Sequence, residues 1–390
     1  MNIAILIPEL CGGGAERVAQ IIGNQYVQRG DEVFYFIGNT DLKRDYQVKG
    51  KIIQTGLKSC MYGSQNDAER IFKLLSASLK VRRLKQKYKI DVAISFMEEC
   101  NYLNVLSKGK EKVITRVCTL LSKRTDQTGF LYYKSNVRFF YSKADKVIVM
   151  SQDALKEMHE YYGVPLKKIL KIPNAVLDRI ECKEEETWQY GSKAVVCVGR
   201  LEPVKQQERI IRAFSYVSQL ENQAKLVILG KGMQLNYLKK LCNKYQISDK
   251  VFFVGFTENV TYYLRYARVF VMASKVEGFP NSMIEAMNYG VPIITTNSPG
   301  ACREIVGGNQ MNMIKGMYML CKYGVLTPAM PNARLEPNSQ LSEQELILGK
   351  AILNILEDNA IYERYHVQSL ERAKMFHINK IIQMWDCIIN

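Results

Sequence analysis

Short apolar runs and longer amphipathic stretches alternate along most of this chain. "NIAILIP" leads through the turn "ELCGGG" into "AERVAQIIGNQYVQRG"; "DEVFYFIG" follows, then the helical-period "AERIFKLLSASLKVRRLKQKYK" and the strand-like "DVAISFM". Further on, "KVITRVC" and "KVIVMS" precede the helical "QDALKEMHEYYG". Continuous apolar runs of strand length describe strands buried on both faces, as in a parallel sheet covered by helices on either side. After "KILKIPNAV" the charged "DRIECKEEETWQYGSK" breaks the rhythm, and the pattern predicts a linker near 175–190.

The second half begins the same rhythm again. "AVVCVGRL", "AKLVILG", "VFFVGF", "VFVMAS" and "VPIITTN" read as strands, separated by the helical "QQERIIRAFSYVSQL", "MQLNYLKKLCNKY" and "NVTYYLRYA". Residues 307–345 are Gly/Pro/Asn-rich and read as irregular, residues 345–390 read as helices, and "INKIIQMWDCIIN" is expected to cross back onto the first half. With 390 residues against roughly 100–200 per domain, the predicted fold class is α/β, with two Rossmann-like, doubly wound parallel-sheet domains facing a deep cleft. The expected boundaries are 1–178, 190–372 and a returning helix over 373–390. Ligands of such sheets bind outside the carboxyl ends of the strands.

Composition narrows the class. Hydrophobic content of 47% and charge of 24% are those of an ordinary globular chain. The ten cysteines form no C-x-x-C pair, and several lie inside apolar runs such as "VVCVG", so they read as reduced packing residues of a cytosolic protein. The amino terminus lacks the basic flank and cleavage site of a signal peptide, and no stretch approaches the roughly 18–20 apolar residues needed to span a bilayer, which predicts a soluble or peripheral protein. The net charge of +16 is uneven: residues 1–175 hold 29 Lys+Arg against 17 Asp+Glu, the remainder 25 against 21. The excess concentrates in "SLKVRRLKQKYK" (78–89) and "GFLYYKSNVRFFYSKADK" (129–146), segments that suit an anionic membrane surface or another polyanion, or else form solvated helix faces. No nucleic-acid-binding module is recognisable.

The candidate chemistry lies mostly at strand ends. "SKVEGFPNSMIEAMNYGVPII" (274–294) sets Glu277 and Glu285 eight positions apart around a Gly-Phe-Pro step, after an apolar strand and before a helix. Unpaired amides at such a helix start favour an anion, while Glu277 beside them and Glu285 about a turn and a half beyond Pro280 can accept hydrogen bonds from sugar and ribose hydroxyls. By spacing alone both are equally readable as solvated glutamates. "GRLEPVK" places Arg200 and Lys205 where two cations can clamp a diphosphate. Gly12, Gly13 and Gly14 occupy the first strand-to-helix turn, and Gly230 and Gly232 another, where missing side chains let backbone approach a ligand. Gly255 and Phe256 end a further strand, and Phe256 is either an aromatic seat for a base or a core residue.

Taken in order, "GGGAER", "VGRLEPVKQ", "LGKG", "VGF" and "EGFPNSMIEAMNYGVPII" resemble the retaining glycosyltransferases of family 4, of GT-B architecture, with the EGFPN-loop enzymes of bacterial polysaccharide and glycan assembly most similar. The resemblance covers essentially the whole chain. It implies a nucleotide-diphosphate sugar donor, usually UDP-linked, and a glycan acceptor, often on polyprenyl diphosphate at the cytoplasmic face of the membrane. It assigns Arg200 and Lys205 to the donor diphosphate, Glu285 to the ribose hydroxyls and Glu277 to the donor-sugar hydroxyls. The backbone from Gly278 through Phe279, Pro280 and Asn281 to Ser282 would hold sugar and phosphates by its amides, with Gly13, Gly14 and Phe256 completing the donor site. Glu277, Arg200 and Lys205 would carry the catalysis.

One departure is visible. Members of this family often carry a histidine in the first domain, whereas His159, His366 and His377 all fall on helical segments away from the first-domain strand ends. Glu98, Glu99 and Arg116 are the nearest strand-end alternatives, with Arg116 the candidate on the acceptor side or else a salt-bridged structural residue. No D-x-D occurs and no His/Cys/Asp/Glu cluster has ligand spacing, so no cofactor and no essential metal is expected. Two rivals stand beside glycosyl transfer: a nucleotide-sugar epimerase or NAD-linked oxidoreductase, against which the G-G-G turn departs from G-x-G-x-x-G, and a noncatalytic membrane or polyanion binder.

Overall fold

A computed structural model describes residues 1–11, 13–38, 47–55, 67–123, 132–179, 188–307, 317–331 and 339–389. Gly12, residues 129–131 of the second basic segment and residues 180–187 of the predicted linker lie outside the described residues. The chain divides into two units: Met1–Ala175 with Asn379–Asn390, and Val176–Ile378.

The first unit runs β1 (Asn2–Ile7), α1 (Gly14–Gln28), β2 (Glu32–Ile37), β3 (Lys51–Gln54), α2 (Asp67–Lys87), β4 (Val92–Phe96), α3 (Glu98–Leu106) and β5 (Lys112–Arg116). It continues through α4 (Lys134–Lys143), β6 (Lys146–Val149), α5 (Gln152–Lys156) and β7 (Ile169–Lys171). Its sheet has the order β3-β2-β1-β4-β5-β6-β7 and is parallel throughout. Strands β1 and β4 are buried along almost their whole length, as their unbroken apolar sequence requires once helices cover both faces.

The second unit repeats the plan. It comprises β8 (Ala194–Val198), α6 (Gln207–Leu220), β9 (Lys225–Leu229), α7 (Leu235–Lys244), β10 (Val251–Gly255), α8 (Val260–Arg265), β11 (Val269–Met272) and α9 (Asn281–Asn288). Then come β12 (Ile293–Thr296), α10 (Cys302–Val306), β13 (Met319–Leu320), β14 (Val325–Thr327), α11 (Glu343–Glu357) and α12 (Asn359–Ala373), after which α13 (Ile378–Ile389) joins the first unit from Asn379 onward. The order is β10-β9-β8-β11-β12-β14-β13, with only the terminal β13–β14 pair antiparallel. Both sheets are therefore doubly wound Rossmann sheets. Residues 307–345 are not wholly irregular as predicted, because β13 and β14 lie within them and β14 extends the parallel sheet beside β12. Strands of two and three residues are too short to leave a periodic signature.

Helix α13 joins the first unit through named contacts. Trp385 is fully enclosed, and Asp386 accepts from Tyr26 Oη at 3.0 Å and from Arg29 Nη1 at 2.6 Å. Helix α3 has no counterpart in the periodicity reading, since its sequence "EECNYLNVL" puts polar residues on the buried side. Those residues are satisfied internally: Asn104 Nδ2 donates to Ala93 O at 2.9 Å, while Lys85 Nζ donates to Asn104 Oδ1 at 2.7 Å and to Glu111 Oε1 at 2.9 Å. Lys85 and Glu111 form an ion pair with both side chains enclosed, which ties α2 to the α3–β5 connection.

Burial holds the Lys85 ammonium down at about 8, against an ordinary 10.5, despite the attraction of Glu111. Between those values the unfolded lysine keeps a proton that the folded one releases, so this group makes stability rise as pH rises through the window. Urea titrations at pH 8, 9 and 10 are expected to show that slope reduced in Lys85→Met relative to wild type; parallel pH dependences would contradict the assignment.

Candidate active site

Strands β8 and β11 are neighbours in the second sheet, so the loops leaving their carboxyl ends emerge side by side. After β8 the chain passes Gly199 and Arg200, makes a single 3-10 turn at Pro203–Lys205 and enters α6 through Gln206 in the left-handed region at φ 50°. After β11 it runs from Ser274 to Pro280, which is the N-cap of α9 and offers no side-chain acceptor to the helix. Two hydrogen bonds, one of them also an ion pair, join the two loops, and a third joins the start of α9 to the end of β8. Lys205 Nζ donates to Glu277 Oε1 at 2.5 Å, Lys275 N–H to Val204 O at 2.8 Å, and Ser282 Oγ to Val198 O at 3.4 Å.

Glu277 is the centre of this junction and is only 7% exposed. Its Oε1 also accepts from Ser274 Oγ at 2.6 Å, three residues earlier in the same loop. Its backbone is fixed from the far side, where its N–H donates to Pro299 O at 3.1 Å and its carbonyl packs against Gly300. Gly300 has φ 111°, and a Cβ there would overlap that carbonyl oxygen. The thiols of Cys197 and Cys302 are the titratable neighbours on either side, and burial pushes each up to about 12, which leaves them neutral beside the ion pair.

Arg200 stands apart from that pair. Its side chain is 63% exposed and donates from Nη1 to Glu202 Oε1 at 2.8 Å, while its carbonyl accepts from Gln207 Nε2 at 2.8 Å. Gly230 and Gly232, expected to admit a ligand, make room for protein: a Cβ on Gly230 would overlap Gly199 O, and one on Gly232 would overlap Leu201 O. These close approaches carry the hydrogen bonds Gly199 N–H to Leu229 O (2.9 Å) and Leu201 N–H to Lys231 O (3.0 Å), which seat the Arg200 loop on the end of β9. Phe256, following Gly255 at φ 85°, is 42% exposed rather than core, and Lys231 Nζ lies 4.8 Å from its ring centroid.

Along α9, Met283, Ile284 and Met287 are fully buried, and Asn281, Ser282 and Glu285 are partly exposed, the face division expected of the helix. Gly278 is partly exposed, but Phe279 turns inward onto Phe376 with ring centroids 5.5 Å apart. Arg200, Lys205, Phe256 and 277–285 thus all follow the carboxyl ends of strands of the second sheet, where Lys205 and Glu277 are joined and Arg200 pairs with Glu202 instead.

Gly13, Gly14 and Arg116 belong to the first unit. Gly13 is the N-cap of α1, and the room left by its missing side chain is taken by the buried carboxylate of Glu16. Arg116 ends β5 but is 1% exposed, donates from Nη2 to Asn174 Oδ1 and lies 5.7 Å from the ring centroids of both Phe96 and Trp385. Burial lowers it to about 10. Its side chain is thus enclosed, and its Nη1 is buried with no hydrogen-bond partner among the described residues. The histidines are likewise held locally: His159 Nδ1 is 3.0 Å from Val164 O, His366 Nδ1 is 2.9 Å from Gly290 O, and His377 Nε2 is 2.7 Å from Asp178 Oδ1. Among the described residues no group of three or more His, Cys, Asp or Glu side chains is arranged to hold a metal ion.

Sequence reasoning passed over Ser274 and the Pro299–Gly300 turn. Their only signals were a small polar residue at the end of a buried strand and the turn-forming "NSPG".

The comparisons with known proteins bear on this arrangement directly. The profile of the family "Glycosyltransferase Family 4" matches residues 12–177, and that of "Glycosyl transferases group 1" matches residues 178–316, so the two run without a break from the first strand-to-helix turn past Gly300. The chain belongs to the family-4 glycosyltransferases. An uncharacterised glycosyltransferase of Methanocaldococcus jannaschii is 29% identical over 88% of this chain and 89% of its own length. A Campylobacter jejuni enzyme named N-acetylgalactosamine-N,N'-diacetylbacillosaminyl-diphospho-undecaprenol 4-alpha-N-acetylgalactosaminyltransferase is 26% identical over 97% of each chain. Among solved structures, Anabaena HepE in complex with UDP-glucose aligns with a TM-score of 0.74 at 16% identity, covering 100% of this chain and 99% of that one. The fold of this glycosyltransferase is therefore the two-Rossmann GT-B fold.

Gly300 offers a direct test of how the glycosyltransferase holds its loops. Gly300→Ala meets both the left-handed backbone and the Glu277 carbonyl, so it is expected to destabilise the protein by well over about 1 kcal/mol. Gly191→Ala, at φ 72° with open space around it, is expected to cost only about 1 kcal/mol. Equal shifts of the urea midpoint for the two variants would contradict this account.

Proposed function

We propose that this glycosyltransferase moves a sugar, with retention, from a UDP-sugar to a hydroxyl of a glycan carried on polyprenyl diphosphate, in the assembly of a bacterial surface polysaccharide or glycan. The observation that carries the reading is the junction of Lys205, Glu277 and α9, where a cation, a buried carboxylate and a helix N-terminus meet at the carboxyl edge of the second sheet. In this reading Lys205 and Arg200 balance the charge of the departing diphosphate, without a metal, and Glu277 orients the donor sugar through its hydroxyls. Glu285, on the partly exposed face of α9, takes the ribose diol, and Phe256 flanks the base. The acceptor oxygen bonds to the anomeric carbon on the face from which the phosphate oxygen departs, and the acceptor proton passes to that phosphate oxygen, giving UDP and the extended glycan. The first unit takes the acceptor.

Support for a UDP-sugar comes from the HepE likeness, and for a polyprenyl-linked acceptor from the Campylobacter enzyme, whose name specifies a diphospho-undecaprenol substrate. Support for a membrane surface comes from the first unit itself. Helix α2 exposes Ile71, Phe72, Leu75 and Leu79, with Phe72 73% exposed, then Lys80, Arg82, Arg83 and Lys87. Helix α4 exposes Lys134, Arg138, Phe139 and Lys143, and Arg138, Phe139 and Lys143 line a surface hollow beside Pro165. Apolar and cationic groups so mixed fit an anionic bilayer at its inner, cytoplasmic face. No described helix is long and apolar enough to cross a membrane.

Sugar transfer to a lipid-linked acceptor, followed by mass spectrometry, is expected to fall at least about 100-fold in Glu277→Ala and in Lys205→Ala with the circular-dichroism spectrum unchanged, and to persist in EDTA. Near-normal turnover in either variant would remove its assigned role, and thermal stabilisation by NAD rather than UDP-sugars would favour the oxidoreductase rival. Vesicles containing phosphatidylglycerol are expected to bind the protein with an affinity that weakens between 50 and 500 mM salt, in contrast to phosphatidylcholine vesicles. Binding that ignores lipid charge and salt would refute the membrane reading.

A further inference from the structure

Two donors of different kinds converge on one oxygen of Glu277. Lys205 reaches Oε1 from the neighbouring loop on a flexible four-carbon stem, and its side chain is still partly open to solvent. Ser274 reaches the same oxygen from within the carboxylate's own loop, at 2.6 Å, and is buried. The Glu277 backbone between them is clamped by Pro299 and Gly300, so that side-chain rotation is the freedom left to the carboxylate.

Lys205 therefore has two demands on it. With the site as it stands it neutralises Glu277; in the glycosyl-transfer reading, on which this inference rests, it also meets a diphosphate carrying more charge than one carboxylate. Any movement of the ammonium toward that diphosphate withdraws the stronger of the two donors from Oε1. We propose that Ser274 is a positioning residue, which holds the Glu277 carboxylate in its orientation while Lys205 turns to the diphosphate of the donor. A fixed hydroxyl three residues away in the same loop suits that task, because its position does not depend on where Lys205 goes. Among the described residues, Lys205 from the β8–α6 loop pairs with Glu277, and Cys197 from β8 and Cys302 from α10 feel its charge. Both thiols stay neutral through the working range of pH, which leaves Lys205 as the charged partner and Ser274 as the neutral one.

The test compares wild type with Ser274→Ala and Ser274→Thr, using UDP titrated by calorimetry and sugar transfer from UDP-N-acetylgalactosamine as the donor probed. Loss of the hydroxyl is expected to lower kcat about 10- to 100-fold, as misplacement of a sugar-orienting group does. UDP affinity should change less than about twofold, since UDP lacks the sugar that Glu277 orients. Ser274→Thr, which keeps the hydroxyl, should restore most of the rate. The proposal is overturned if Ser274→Ala keeps kcat within threefold. It is also overturned if kcat, UDP affinity and melting temperature fall together without rescue by threonine, the signature of a packing role. If the wild-type protein neither binds UDP nor transfers any sugar, the glycosyl-transfer reading itself fails, an outcome distinct from a wild type that works and a Ser274 series that does not.

Discussion

The ion pair between Lys205 and Glu277 is the constraint on which the second unit's strand-end architecture turns. A carboxylate as enclosed as Glu277 is strongly unfavourable unless a cation and further donors satisfy it. Both are supplied from loops that follow adjacent strands, Lys205 from the one after β8 and Ser274 from the one after β11. The requirement to satisfy that charge draws the two loops together. Glycines 230, 232 and 300 then permit the backbone approaches that the closure demands. The same closure leaves Arg200 outside, paired with Glu202 in solvent, so the two cations of "GRLEPVK" have unlike environments in spite of their short separation in sequence.

Buried charge in the first unit is put to another use. Lys85, Glu111 and Asn104 bind α2 to the connection before β5, and Arg116 lies between Phe96 and Trp385 where α13 settles on the unit. Lys85, Glu111 and Asn104 are satisfied by neighbours in the same unit and hold elements together, whereas Arg116 keeps one buried donor, Nη1, without a hydrogen bond among the described residues. The exposed chemistry of that unit lies instead on α2 and α4, whose outward faces mix large apolar side chains with lysine and arginine. Among the described residues of its unit, helix α2 has no full partner for the face that shows Phe72, Leu75 and Leu79.

The sequence alone determined what depends on local periodicity and short-range spacing. Unbroken apolar runs separated by amphipathic stretches specify parallel sheets covered by helices, and their recurrence after residue 190 specifies a second such sheet, because strands buried on both faces leave no polar alternation. The helix after Pro280 and its division into buried Met283, Ile284 and Met287 against partly exposed Glu285 follow from the helical repeat in the same way. The short strands β3, β13 and β14 and the polar-cored α3 were not legible, since β13 and β14 have only two and three residues, β3 has only two apolar residues and is half exposed, and a buried asparagine looks like a surface one until its partners are known. Which charges meet was decided only by the tertiary structure. Lys205 lies 72 positions from Glu277 yet bonds to it, while Arg200, five positions from Lys205, does not share its partner, and Arg116 at a strand end proves enclosed. Strand order and the close packing of successive loops bring those groups together or hold them apart, and neither is encoded in the spacing of residues along the chain.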